Sequence, residues 1–258
     1  MPKLTASSLN PTPQRWGRLD ALRGVAMLWM TAFHFCFDLN HFGYLRQDFY
    51  NDPLWTWQRN CIVGLFLFCA GLSQAVALHQ GQSWPRFWRR WGQIAVCALL
   101  VTAGSMVMFP KSYIYFGVLH GIAVMLIIVR LTAHWGRWLW LAGGVVFATA
   151  LAIKVIATEH LFTPAIAHFL NEKAFNWLGL VSVKPITEDF VPVVPWLGCI
   201  WWGMAAGQWL LARHPGVFSG QLSAGGGALA ALGRWSLSYY MLHQPVLIGL
   251  LTLVAALR

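Results

Sequence analysis

Arg23, His34 and Asp38 share one apolar stretch, Leu19 to Leu39, and are the first residues able to do chemistry there. An imidazole takes and gives protons near neutral pH, a carboxylate fixes its tautomer, and a guanidinium holds an anion. Eleven residues separate Arg23 from His34, so on a helix they lie within about 20° of each other. Asp38 follows His34 at i+4, on the same face, and Asp20 and His41 extend that stripe. A stretch this apolar reads as a membrane span, where polar side chains are costly and mark function. The stripe therefore reads as the wall of a site inside a helical bundle, with His34 as a base oriented by Asp38.

Other spans supply partners. Arg59 and Asn60 stand near the start of a second apolar run, His120 lies in a fourth, and Asp189 and Trp196 border a sixth. His243 precedes Gln244 and Pro245 in the last, where the proline weakens the helix. Counting about 1.5 Å per residue puts His34, Asp38, Arg59 and His120 in the outer half of the membrane, with Asp189 just beyond it. The same count puts Arg23 and His243 in the inner half. Each has a plainer reading. His34 and Asp38 could simply pin helices together, His120 could be a hydrogen-bonded interior histidine, and Arg23 could snorkel to the surface. Arg59 is the hardest to explain away, because a buried guanidinium needs an anionic or carbonyl partner.

The elements that hold these residues follow from composition. The 258 residues are 58% hydrophobic and only 10% charged, with mean hydropathy +0.56. Soluble domains carry about 25% charged residues. The fold class is thus all-α, a polytopic transmembrane helical bundle of seven or eight spans. Apolar runs fall near residues 19–39, 54–78, 91–109, 112–129, 138–157, 191–211 and 235–257, with short interfacial or re-entrant helices expected within 158–190. Residues 1–17 read as a cytoplasmic tail and 18–258 as one domain. Arginines gather in alternate loops: Arg18; Arg86, Arg89 and Arg90; Arg130 and Arg137; Arg213 and Arg234. The other loops hold the acids Asp48, Asp52, Glu159, Glu172, Glu188 and Asp189. By the positive-inside rule the N-terminus is cytoplasmic. The net charge of +10 is thereby a matter of topology, and no nucleic-acid partner is expected. The five cysteines lie singly in apolar runs and read as packing residues, so neither disulfides nor a metal is expected.

The motifs go further. Arg23, ten residues and His34, within Leu19-Asp-Ala-Leu-Arg-Gly-Val-Ala-Met-Leu28, resemble the first helix of the transmembrane acyltransferase superfamily. The chain is more closely similar to a bacterial membrane family related to heparan-alpha-glucosaminide N-acetyltransferase. The stretches that carry this likeness are Arg18–Tyr44, Arg59–Ser73, Tyr115–Ile122, Asp189–Gly198 and Leu232–Val246. The resemblance implies a multi-pass protein of the bacterial inner membrane that takes acetyl-CoA, or another acyl-CoA, from the cytoplasm. It implies an amine or hydroxyl acceptor outside, on a sugar or cell-envelope glycan. His34 with Asp38 would activate the acceptor, and Arg59, Asn60 or His120 would stabilise the oxyanion. Arg23 and His243 would contact the donor, and Asp189, Trp196 and Gln244 complete the candidate binding residues. The lysosomal member keeps its active-site histidine in the loop after its first helix, where this chain offers His41. A second copy of the chain, in a homo-oligomer, is a further candidate partner.

A second reading is a small transporter or flippase using the stripe as a relay, although no inverted repeat is visible. A third is a haem or quinone protein using His34, His120 and His243 as ligands, in which a bis-histidine site pairing His34 with His243 is disfavoured by their different estimated depths.

Overall fold

The computed structural model describes residues 16–159 and 161–257; the tail assigned to residues 1–17 lies outside them except for Trp16 and Gly17. The described residues fold into nine α-helices. They are α1 (Gly17–His41), α2 (Pro53–His79), α3 (Trp84–Met108), α4 (Val118–Thr132), α5 (Trp138–Thr158), α6 (Pro164–Asn171), α7 (Val193–Arg213), α8 (Ala224–Arg234) and α9 (Ser236–Ala256). No β-strand occurs among them; Phe116 and Phe190 form one isolated parallel bridge.

Helix starts follow their sequence cues. Asp52 caps α2 through its side chain to the Leu54 N–H, with Pro53 opening the first turn. Thr163 caps α6 in the same manner ahead of Pro164. Five helices, α2, α3, α4 with the turn after it, α5 and α9, are long and apolar enough to cross a membrane. The apolar run near 19–39 is also one helix, of 25 residues, and that near 191–211 is helical with non-helical backbone at Val194, one residue into α7. Asp20, Arg23 and Asp38 in α1, and four tryptophans in α7, lower their mean hydropathy.

Two expectations are corrected. The run 112–129 is helical only from Val118. Residues before it are extended because they pair with the strip ahead of α7, through Glu188 N–H to Ser112 O (2.9 Å) and Val191 N–H to Phe116 O (3.1 Å). The stretch between Arg213 and Arg234, read above as one loop, contains α8 in a glycine-rich run, capped by the Ser223 hydroxyl on the Gly226 N–H.

Glycines set the two tightest helix crossings. A Cβ on Gly71 of α2 would stand 2.1 Å from the Ile200 carbonyl oxygen of α7, and one on Gly203 2.1 Å from that of Phe68. A Cβ on Gly24 of α1 would stand 2.0 Å from the Leu229 oxygen of α8, and one on Gly233 1.8 Å from that of Asp20. Small residues let backbones meet in this way where no hydrophobic force draws helices together. Leu67, Met125, Ile200 and Met204 fill the core between α2, α4 and α7.

The fold also sorts the charges. At one end Arg18 donates to the Val217 oxygen (3.2 Å), and Arg130 donates to the carbonyl and side-chain oxygens of Gln82. At the other, Glu188 accepts from Tyr50 and Ser112, and Asp189 accepts from the Val118 N–H. These are the basic and acidic ends below.

Candidate functional site

The helices α1 and α9 run side by side in the same direction, and their facing polar residues meet in register. Thr31 Oγ1 and the Tyr239 hydroxyl are 2.7 Å apart. The rings of His34 and His243 meet edge to face, with centroids at 5.2 Å. Gln244 Nε2 donates to Asp38 Oδ1 at 2.7 Å.

This overturns the depth assigned to His243, and with it the argument against pairing it with His34. Counting both helices from one membrane surface separates the two by about 10 Å. The chain instead spends residues 224–234 on α8, whose Gly233 lies against Asp20 and Gly24. Helix α9 therefore starts beside the third turn of α1, and His243 rises to the level of His34.

The tautomer of His243 is fixed by its own helix. Its Nδ1 lies 2.8 Å from the Tyr240 carbonyl oxygen, which can only accept, so Nδ1 carries the proton. In the neutral ring Nε2 is then a bare lone pair. That nitrogen is buried and has no hydrogen-bond partner among the described residues, and the same holds for Asp38 Oδ2 and Gln244 Oε1. Buried polar atoms are nearly always satisfied. Three unpartnered ones from three neighbouring side chains make a place built to receive polar atoms from elsewhere. Tyr239 stacks on the His243 ring at 6.0 Å, with 9° between the planes.

The pairing expected between His34 and Asp38 is replaced by the Gln244–Asp38 bond. His34 and Asp38 share a face of α1, yet Gln244 reaches the carboxylate from α9. His41 is the last residue of α1 and is not in a loop. It is exposed, and its ring neighbours are Phe42 and Phe109.

Arg23 sits about 16 Å from His34 along α1, at about 1.5 Å per residue. Its guanidinium bonds Asp20 Oδ1 (2.9 Å), the Gly233 oxygen (3.3 Å) and Ser73 Oγ (3.2 Å). One side chain thereby joins α1, α8 and α2. His120 Nδ1 accepts the Gly117 N–H (3.3 Å), and Nε2 lies 3.1 Å from Thr102 Oγ1. It caps α4 and ties it to α3.

The remaining candidates stand at the acidic end. Asp189 Oδ2 accepts the Val118 N–H at 2.7 Å and so holds the start of α4. Burial raises the Asp189 pKa to about 6, against the pull of the Val118 N–H, Lys184 and Arg59. Burial lowers that of Lys184, with the Arg59 charge adding to the effect. Burial raises that of Tyr50, with the Glu188 carboxylate second. Arg59 thus stands among Asp189, Tyr50 and Lys184. Asn60 is exposed, one turn before the buried Val63 and on the same stripe of α2. Trp196 lies against Gly64, between α7 and α2.

Thr31 and Tyr239 were missed by sequence reasoning. The signal was there: Thr31 stands three residues before His34 on the polar stripe, and Tyr239 four before His243. Among the described residues no group of three or more His, Cys, Asp or Glu side chains is placed to hold a metal.

At the basic end a cleft of about 770 Å³ opens between α3 and α9, lined by Arg90, Arg234 and Trp235 and continuing along apolar walls.

A helical bundle with membrane-length apolar helices and a pair of contacting histidines, of which His243 is buried, defines a polytopic membrane protein with an internal polar site. The family described as heparan-alpha-glucosaminide N-acetyltransferase, catalytic, matches residues 15–245, and the chain belongs to it. The chain is thus a member of a family of membrane acetyltransferases. No curated protein and no solved structure matches it.

Proposed function

We propose that the protein moves an acetyl group from acyl-CoA at the basic end to an amine or hydroxyl at the acidic end. The basic end faces the cytoplasm, where its arginines suit the donor's phosphates. The acceptor, a sugar or envelope glycan, approaches past Arg59, Asn60 and Asp189. As the acceptor attacks the thioester carbonyl, its proton passes to a histidine and the C–S bond breaks. The imidazolium then returns the proton to the departing thiolate. His34 and His243 both lie at the reacting level, and the bare Nε2 favours His243 as the base. The Tyr240 carbonyl at Nδ1 and the nearby Asp38 carboxylate both stabilise its protonated form.

The observation that carries this reading is the buried, unpartnered Nε2 of His243 against the ring of His34, in a chain of this family. Its test is purified protein with radiolabelled acetyl-CoA and glucosamine. Wild type should form labelled N-acetylglucosamine. His243→Asn, whose amide can keep the bond to the Tyr240 oxygen, should lose about 10²–10⁴-fold, the range for a general base. An unchanged rate in that variant removes His243 from the role. No acetyl transfer or thioester cleavage by wild type, with this or other amino sugars, contradicts the function itself.

A further inference from the structure

The cleft between α3 and α9 lies behind the histidine site. On α9, Leu237, Ser238, Met241 and Leu242 line it. At 100° per residue their common direction is roughly 150° from that of Tyr239 and His243, which face α1. The cleft thus belongs to the outer side of the bundle. Val96, Trp235 and Leu242 on its walls are all more than half exposed, at 57%, 69% and 61%. In a chain that crosses the bilayer such side chains meet lipid.

Charge is confined to one end. Arg90 and Arg234 both line the cleft, with no acidic residue among its walls. Arg90 donates to Gln93 Oε1 (3.2 Å), and neither arginine joins an ion pair among the described residues. Trp235 stands beside them at the depth where indoles favour the headgroup region. Cations and an indole at the headgroup level, above an apolar trough open sideways, have the layout of a lipid rather than of a soluble ligand. Basic pockets between membrane helices on the cytoplasmic side bind anionic headgroups.

We propose that this cleft binds one anionic phospholipid of the inner leaflet. Its phosphate lies between the guanidiniums of Arg90 and Arg234, which suit phosphate oxygens in bidentate geometry. Its acyl chains follow Val96, Cys97, Met241 and Leu242. The lipid would fill the gap between α3 and α9 and brace α9 from behind.

The test is native mass spectrometry of detergent-solubilised protein with added phosphatidylglycerol, phosphatidylcholine or coenzyme A. Wild type should retain one phosphatidylglycerol and at least tenfold less phosphatidylcholine. The R90Q/R234Q double variant should lose that preference, and R90K/R234K, which restores the charges, should regain part of it. Equal retention of both lipids overturns the proposal, as does a preference indifferent to the arginines. Displacement of phosphatidylglycerol by coenzyme A, one for one, also overturns it by giving the cleft to a nucleotide. These outcomes are read without an acetyl-transfer assay, so they stand apart from the fate of the proposed reaction.

Discussion

His34 on α1 and His243 on α9 come from opposite ends of the sequence, 209 residues apart, and meet edge to face at 5.2 Å. In the proposed reaction the two rings act as one proton-transfer unit. Loss of either should therefore cost nearly as much as loss of both, as happens where residues act together. We expect His34→Ala to lower acetyl transfer at least 10-fold. The double His34→Ala/His243→Asn variant should be no more than a few-fold slower than His243→Asn alone. Fully multiplicative losses would show that the histidines act separately.

Among the described residues, Asp38 depends on Gln244 for the one hydrogen bond its buried carboxyl makes. Gln244→Leu leaves that carboxyl without a partner. The cost should be about 1–3 kcal/mol or more, since orphaning a buried polar group incurs its full desolvation penalty. Replacing both, Asp38→Leu with Gln244→Leu, should recover much of the stability while leaving transfer impaired. Thermal unfolding followed by tryptophan fluorescence reads both outcomes. A single variant as stable as wild type would mean that solvent reaches the site.

The docking of α8 sets the height of α9, and Gly233 and Arg23 hold it. Gly233→Leu drives a side chain into the Asp20 carbonyl and should destabilise by at least about 1–3 kcal/mol, the usual cost of overpacking. It should also reduce transfer by shifting His243 away from His34. Arg23→Ala should lower stability too, since it removes three hydrogen bonds. An Arg23 variant of normal stability with weakened donor binding would return that residue to the donor contact implied by family resemblance.

Asp189 makes a pH prediction. Its carboxyl is raised from 3.8 to about 6 by burial, so the folded state holds its proton more tightly than the unfolded chain does. The resulting stabilisation is fully present below about pH 4 and is lost as pH rises through 6. Asp189→Asn keeps an oxygen for the Val118 N–H and removes the charge. Relative to this variant, wild type should lose thermal stability between pH 4 and 6 and change little above. A constant difference across that range contradicts the buried-carboxyl account.

Much of this was legible in the sequence because membrane helices advertise themselves. The apolar runs of α2, α5 and α9 agree with the observed helices to within a few residues, since length and hydropathy fix them. The stripe on α1 was readable because 3.6-residue periodicity places Arg23, His34 and Asp38 together. Its partner face was not. That required the depth of α9, which depends on α8, and α8 hides in a glycine-rich run whose helix propensity is poor. Its glycines serve close packing on α1, a tertiary reason that no local pattern reveals. Likewise polarity and position mark His120 and Arg23 as candidates, but they do not reveal the contacts that hold them. Only geometry gives them a cap and a three-helix tie.

The central claim is acetyl transfer across the membrane at the His34–His243 pair. It is tested most directly in sealed proteoliposomes whose protein orientation has been measured, with acetyl-CoA on one side and glucosamine on the other. N-acetylglucosamine should form only with acetyl-CoA at the basic end and glucosamine at the acidic end, and His243→Asn vesicles should form almost none. Product appearing only when both substrates share one side, or equally in the His243→Asn vesicles, would contradict the account.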